Sequence, residues 1–273
     1  MNHLTWLAAI AATLAAPAIA GERIELSDKA PVVIDPGKAY VTYSGATKFP
    51  LMLIRAVTAD ELGKWQGLRA QALAKAQAKY ARTKKDYDQN LASWTKMDPT
   101  ERAIQEMPEA PIPISNDSFS FPPAEMDNFV YARARPYSRD ANGYRFVIAI
   151  PPGHYTIYGP HDAFTSGTFG IACLCMGSVA FDASAGKVVN LGQFTNKYGE
   201  TPVFTLEPAK PGDVVPLALS AVGVSPARFS AAGKMPNYHG TLIERLPPIP
   251  GVLAYRRDIA VDVASGQDAP SFR

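Results

Sequence analysis

Cysteine, charge imbalance and catalytic signatures are what this chain has least of. Only two of its 273 residues are cysteine, Cys173 and Cys175, which excludes a small scaffold stapled by several disulfides. Its 27 Lys and Arg against 25 Asp and Glu leave a net charge of +2, too balanced for the strongly basic footprint of a nucleic-acid binder. No G-x-S-x-G elbow, H-E-x-x-H helix, Gly-rich phosphate loop or dinucleotide fingerprint occurs, so neither a cofactor nor an enzymatic reaction is expected. Beyond the N-terminal segment no apolar run approaches the ~18 residues needed to cross a bilayer, and no transmembrane segment is expected in the mature chain.

What is present begins with an apolar run, Leu4 to Ala16, followed by the small-x-small pattern Ala18-Ile19-Ala20. This reads as a signal peptide over 1–20, cut after Ala20, and places the product in a bacterial periplasm or outside the cell.

Short β-branched and aromatic runs punctuated by Pro and Gly then dominate. Tyr144–Ile150, His154–Tyr158, Ser178–Phe181 and Lys187–Leu191, joined by Pro151-Pro152-Gly153 and by Asp182–Gly186, read as antiparallel sheet. Glu22–Leu26, Pro31–Ile34, Lys38–Tyr43, Phe49–Val57, Asn128–Pro136, Pro202–Leu206, Asp213–Leu219 and Gly251–Val263 are further candidate strands, and Ser225–Ala232 a candidate helical turn. Between them the period changes. Thr58-Ala59-Asp60-Glu61 is a capping box, and the proline-free stretch to Lys96 carries Leu73, Ala76, Tyr80, Tyr87, Leu91 and Trp94 as one apolar stripe. A helix of that length is about 55 Å long, more than a small domain's width. Pro99–Glu106 reads as a short return helix, and Met107–Pro123 as an extended Pro-rich linker laid over the sheet. The fold class expected is mainly β (α+β): one antiparallel β-sandwich, transthyretin- or immunoglobulin-like, formed by 21–57 and 124–273. The segment 58–123 is inserted as long helix, short helix and linker.

Cys173-Leu174-Cys175-Met176 has three readings. On a straight strand residues two apart lie about 6.5–7 Å from each other, so a disulfide needs a turn or bulge. Two buried thiols acting as small apolar groups need nothing further. Two thiolates and the Met176 thioether, helped by His154 or His161, would suit Cu(I). His154, His161-Asp162 and Ser166 lie close in sequence, but spacing alone makes no catalytic triad. The helix carries a basic band, Lys75, Lys79, Arg82, Lys84 and Lys85, either a solvated face or a contact for an anionic surface.

The turn Pro151-Pro152-Gly153-His154-Tyr155, the strand Gly177–Phe181 and the ending Ala185-Gly186-Lys187-Val188-Val189-Asn190-Leu191-Gly192 resemble exported bacterial proteins of unknown function of the DUF2846-like β-sandwich group. The resemblance covers about fifty residues, implies a sandwich, and carries over no functional residue. The class that remains is a non-enzymatic binding module of the cell envelope. Its partner would be an envelope protein or polymer, or a second copy engaged through the 58–97 helix. The alternative is a soft-metal protein using Cys173, Cys175, Met176, His154 and His161.

Overall fold

A computed structural model describes residues 33–48, 50–132, 136–140, 143–162, 170–197, 203–213, 215, 219 and 223–272. The expected signal peptide over 1–20, the expected strand over 22–26, Ser166 and most of 213–219 lie outside them. The fold is α+β, mostly strands in several sheets with one long helix, and the chain divides into two units, Met1–Ala56 with Glu125–Arg273, and Val57–Ala124.

In the first unit, β1 (Ala39–Gly45) is flanked by β5 (Gly143–Ile150), antiparallel, and by β9 (Val188–Lys197), parallel. β4 (Ser138–Asp140) pairs the far side of β5, while β10 (Val203–Glu207) and β11 (Val224–Pro226) share the outer side of β9. The second sheet has the order β12 (Ser230–Ala232), β8 (Ser178–Ala183), β6 (Gly153–Asp162), β2 (Leu51–Arg55), β3 (Phe129–Ala132). β7 (Gly170–Cys173) adds to the end of β6, and β13 (Leu242–Ile243) to β7. A small third sheet, β14 (Leu253–Arg256), β15 (Ile259–Asp262) and β16 (Gln267–Asp268), ends the chain.

Strand alternation explains the core. Val41, Tyr43, Phe146, Val189 and Phe194 from the first sheet meet Leu51, Leu53, Tyr155, Val179 and Phe181 from the second in one buried cluster. In β2 the alternate residues Met52 and Ile54 are buried too, in a separate cluster, so the second sheet is covered on both faces. The two turns that join the central strands each carry the chain from one sheet to the other: β5 to β6 through Pro151-Pro152, and β8 to β9 through Ser184–Lys187.

Three boundaries differ from expectation. The Lys187–Leu191 run does not stop at Gly192 but bulges there and continues to Lys197, because a glycine at φ +103° can absorb an extra residue without ending the ladder. Ser225–Ala232 is not a helical turn but two edge strands, β11 and β12, since pairing partners outweigh local propensity. Gly251–Val263 is not one strand but the β14–β15 hairpin, reversed at Arg257 with φ 57°.

The second unit is built on α1 (Ala59–Lys96), 38 residues with both halves of the Thr58–Glu61 capping box formed. Asp98 caps α2 (Pro99–Ile104), and the chain returns along α1 as an extended strap. Three fastenings hold it: Trp94 Nε1 donates to Gln105 O at 3.1 Å, Arg69 donates twice to Asn116, and Trp65 Nε1 donates to Pro122 O at 2.8 Å. Pro108, Pro111 and Ile114 are half-buried while their neighbours are exposed, the three-residue period of a polyproline-II strand with one face on a partner. The lengths agree. From Trp94 to Arg69 the helix rises about 37 Å, and from Gln105 to Asn116 a polyproline-II strand rises about 34 Å. Since β2 and β3 are antiparallel neighbours with Ile54 opposite Phe129, the whole unit occupies what would otherwise be a hairpin turn.

Candidate functional site

The outer cluster of the second sheet gathers the chemistry-bearing side chains of the chain. β7 ends at Cys173, and a turn closes from Gly177 N to Leu174 O at 3.2 Å. That turn supplies the bend the Cys-x-Cys spacing required. The cysteine Cα atoms lie 5.0 Å apart, and the sulfurs form a close pair. The segment 233–246 clamps this corner through Met235 N to Cys175 O, Glu244 N to Cys173 O and Leu246 N to Gly177 O, all within 3.0 Å. Cys173, Cys175, Met52 and Met235 are thereby buried with Phe129 and Tyr158, and Met126, Tyr131 and Tyr238 pack on their edge.

Phe129 is the hub of the rings, with Tyr158 at 4.9 Å, His239 at 4.8 Å and Tyr238 at 5.7 Å, all edge-on. Tyr131 Oη lies 3.5 Å from His239 Nε2, and Tyr158 Oη donates to Asn237 Oδ1 at 3.5 Å. Burial pushes the phenols of Tyr131, Tyr158 and Tyr238 up, and the Glu125 carboxylate beside Tyr238 pushes it further. The three phenols therefore stay protonated at neutral pH. They act as hydrogen-bond donors, not as phenolate nucleophiles or ligands.

The structure brings Cys173 and Cys175 together but not the histidine helpers. His154 Nδ1 lies 2.9 Å from Asp182 Oδ1 across the β6–β8 ladder, on the surface. It sits four residues along β6 from Tyr158, where Leu174 N docks, a distance of about 13 Å. The backbone of His161 pairs with Ile171, but its side chain lies outside the described residues. Met176 enters the turn through its amide, bonded to Glu244 O. Among the described residues no group of three or more His, Cys, Asp or Glu is arranged to hold a metal. Spacing missed the convergence of Met52, Met126 and Met235 with the cysteines. The continuous apolar run Leu51–Ile54 was its one trace, since a strand with only one covered face alternates.

The second unit offers a surface of another kind. No residue of α1 is buried. Between Leu62 and Lys85 stand seven Lys and Arg and no carboxylate. At 100° per residue Lys64, Lys75, Lys79 and Arg82 fall within an arc of about 60°, roughly 130° from the apolar stripe that the strap lines. They form an exposed ridge about 27 Å long. Lys84 lies elsewhere on the helix and is bonded to Asp88.

No family profile, no curated protein and no solved structure matches this chain. Among the described residues no helix is long and apolar enough to cross a membrane.

Proposed function

We propose that the protein is a non-enzymatic binding module exported to the bacterial cell envelope, and that its helical unit is the part that engages an anionic envelope surface. The observation that carries this reading is α1 itself, 38 residues with none buried. The strap fixes its shape before any partner arrives, and an ordered ligand surface loses less conformational freedom on binding. The lysine ridge supplies charge complementarity.

The hairpin relation of β2 and β3 provides the test. Arg55 Nη2 donates to Asn128 Oδ1 at 2.9 Å, so the strand ends are adjacent, and a short Gly-Ser turn can replace 57–124. The shortened protein should keep its sheet signal in circular dichroism and lose retention in envelope fractions. A Lys64→Glu/Lys75→Glu/Lys79→Glu/Arg82→Glu variant should lose it as well, with wild-type retention falling at high salt. Unchanged retention after excision overturns the proposal. Retention that survives charge reversal but tracks self-association in sedimentation would move the partner to a second copy of the chain.

One observation favours a second reading, soft-metal binding. Both cysteines share one cluster with Met52 and Met235, and Met126 flanks it. In the exported protein we expect the close pair to be a disulfide, supported by the 5.0 Å Cα separation. Only its reduced form would offer two thiolates and thioethers to Cu(I). Elemental analysis of purified wild type and of Cys173→Ser/Cys175→Ser separates the two readings.

A further inference from the structure

We infer that the protein holds a small-ligand site at the bulge of β9, separate from the helical unit, and that it takes a zwitterionic amino acid. Thr42 pairs with Asn190 and Ser44 with Gln193, so β9 carries one residue more than β1 across this interval. The extra residue is accommodated at Gly192, where a Cβ would stand 2.1 Å from Glu207 O. The bulge opens a cleft of about 260 Å³ between β9, the start of the chain after β10, and Arg145 of β5. Its lip is a Pro211-Gly212 turn, closed by Asp213 Oδ2 accepting from Lys210 N at 2.7 Å.

Asn190 lines this cleft and is only 5% exposed. Its Oδ1 accepts from Gly192 N at 3.0 Å and its backbone carbonyl accepts from Ala227 N. Its Nδ2 has no acceptor among the described residues. That amide nitrogen is not sealed in the core: it keeps a small opening, and Asn190 lines the cleft, so a ligand there meets a donor that no described protein group occupies. Arg145 also lines the cleft and with Asn190 forms a donor part suited to a carboxylate, while the Ser44 hydroxyl beside them donates to Gly192 O at 3.4 Å. Glu207 and Asp213 supply carboxylates to the same cleft, Glu207 paired with Lys210 at 3.2 Å. The lining charges cancel, two cations against two anions, which disfavours ligands of large net charge. Among the described residues no aromatic ring lines the cleft, so they offer a sugar no stacking platform. The volume equals about nine waters, below the usual range of drug-sized pockets and suited to a free amino acid.

The test is NMR titration of the full mature chain, following side-chain amide resonances, with L-glutamine, L-alanine, L-alaninamide, N-acetyl-L-alanine and glucose as probes. The Asn190 amide pair, assigned by its loss in Asn190→Asp, should shift saturably with the two free amino acids. L-Alaninamide and N-acetyl-L-alanine, each lacking one charge, should bind at least ten-fold more weakly, and glucose should leave the pair unmoved. Asn190→Asp keeps an acceptor for Gly192 N and so keeps the bulge. It turns the donor into a like charge for the ligand carboxylate and should cut affinity at least ten-fold, read in this variant from the Gln193 side-chain amide that also lines the cleft, with the spectrum of the free protein otherwise unchanged. Glu207→Gln, on the exposed side, should weaken binding without touching the floor. The site is refuted if no probe moves the Asn190 pair, if glucose moves it and the amino acids do not, or if Asn190→Asp binds like wild type. None of these outcomes depends on the helical unit, since the cleft lies wholly in the other unit.

Discussion

Trp94→Ala removes the far fastening of the strap, and its cost can be worked from the contacts. The indole N–H donates to Gln105 O at 3.1 Å, a bond with a net contribution of about 1 kcal/mol. The Arg102 guanidinium lies 5.7 Å from the ring centroid, adding about 0.5–1 kcal/mol for an exposed cation–π pair. Arg102 Nε is buried without a partner beneath the ring. Losing the indole returns that group to water and offsets part of the loss, so about 2 kcal/mol is an upper figure. Helices in water take most of their stability from packing, not propensity, so the effect should appear as local opening at the C-terminal end of α1. At 1.4 kcal/mol per decade, 2 kcal/mol is about a 30-fold rise in the opening constant. Hydrogen exchange read by mass spectrometry should show that rise in peptides covering 85–97. Peptides over 59–72, which Trp65 and Arg69 still hold, should not change. An equal rise along the whole helix, or a rise below about three-fold, would refute the three-point fastening.

Other perturbations probe the sheets. Gly192→Ala sets a Cβ 2.1 Å from Glu207 O and 2.5 Å from Ala209 N, both backbone, at φ +103°. It should cost about 3 kcal/mol or more in urea denaturation, and an unperturbed midpoint would mean the bulge can shift register. Reducing the disulfide proposed for Cys173 and Cys175 should open a ring of only three residues, a loop-entropy loss of about 1.6 kcal/mol; a difference above about 4 kcal/mol between oxidised and reduced samples would show that the pair holds more than its own turn. The Asp262 carboxylate is held below its ordinary pKa, first by the Ala231 N–H and then by that of Ser265. A depressed folded pKa gives stability that is present above the unfolded value of about 3.9 and is lost as pH falls through the folded one. Asp262→Asn should therefore flatten the acid limb of stability against pH below about 4, and parallel limbs for the two proteins would sink that assignment.

The legible parts of the fold are those written in neighbouring residues. The Thr58–Glu61 box predicted where α1 starts, and both of its hydrogen bonds are formed. The runs before and after Pro151-Pro152-Gly153 emerge as β5 and β6. The turn at Arg257 was not legible, because no glycine, asparagine or proline marks a residue held at φ 57°. The outer cluster was illegible for a different reason. Met52, Phe129, Tyr158 and Cys173 come from four separate strands and Met235 and His239 from a fifth stretch of the chain, and nothing in their spacing says that one sheet face collects them. Asn190 was hidden inside a strand motif, where an inward polar residue is visible in sequence but its unpaired donor is not.

The two proposals divide along the same line as the fold. The helical unit replaces a β2–β3 turn, so the sheets that form the β9 cleft do not need it for their ladders: Ile54 opposite Phe129 fixes that hairpin, and β1, β5, β9 and β10 lie in the other sheet. Excision of 57–124 should then leave amino-acid binding at Asn190 intact, and Asn190→Asp should leave envelope retention intact. If the excised protein lost both, the long helix would have to be supporting the sheets, and its unburied surface would no longer argue for a partner. If Asn190→Asp lost both, retention would run through the cleft ligand, and the lysine ridge would revert to an ordinary solvated face.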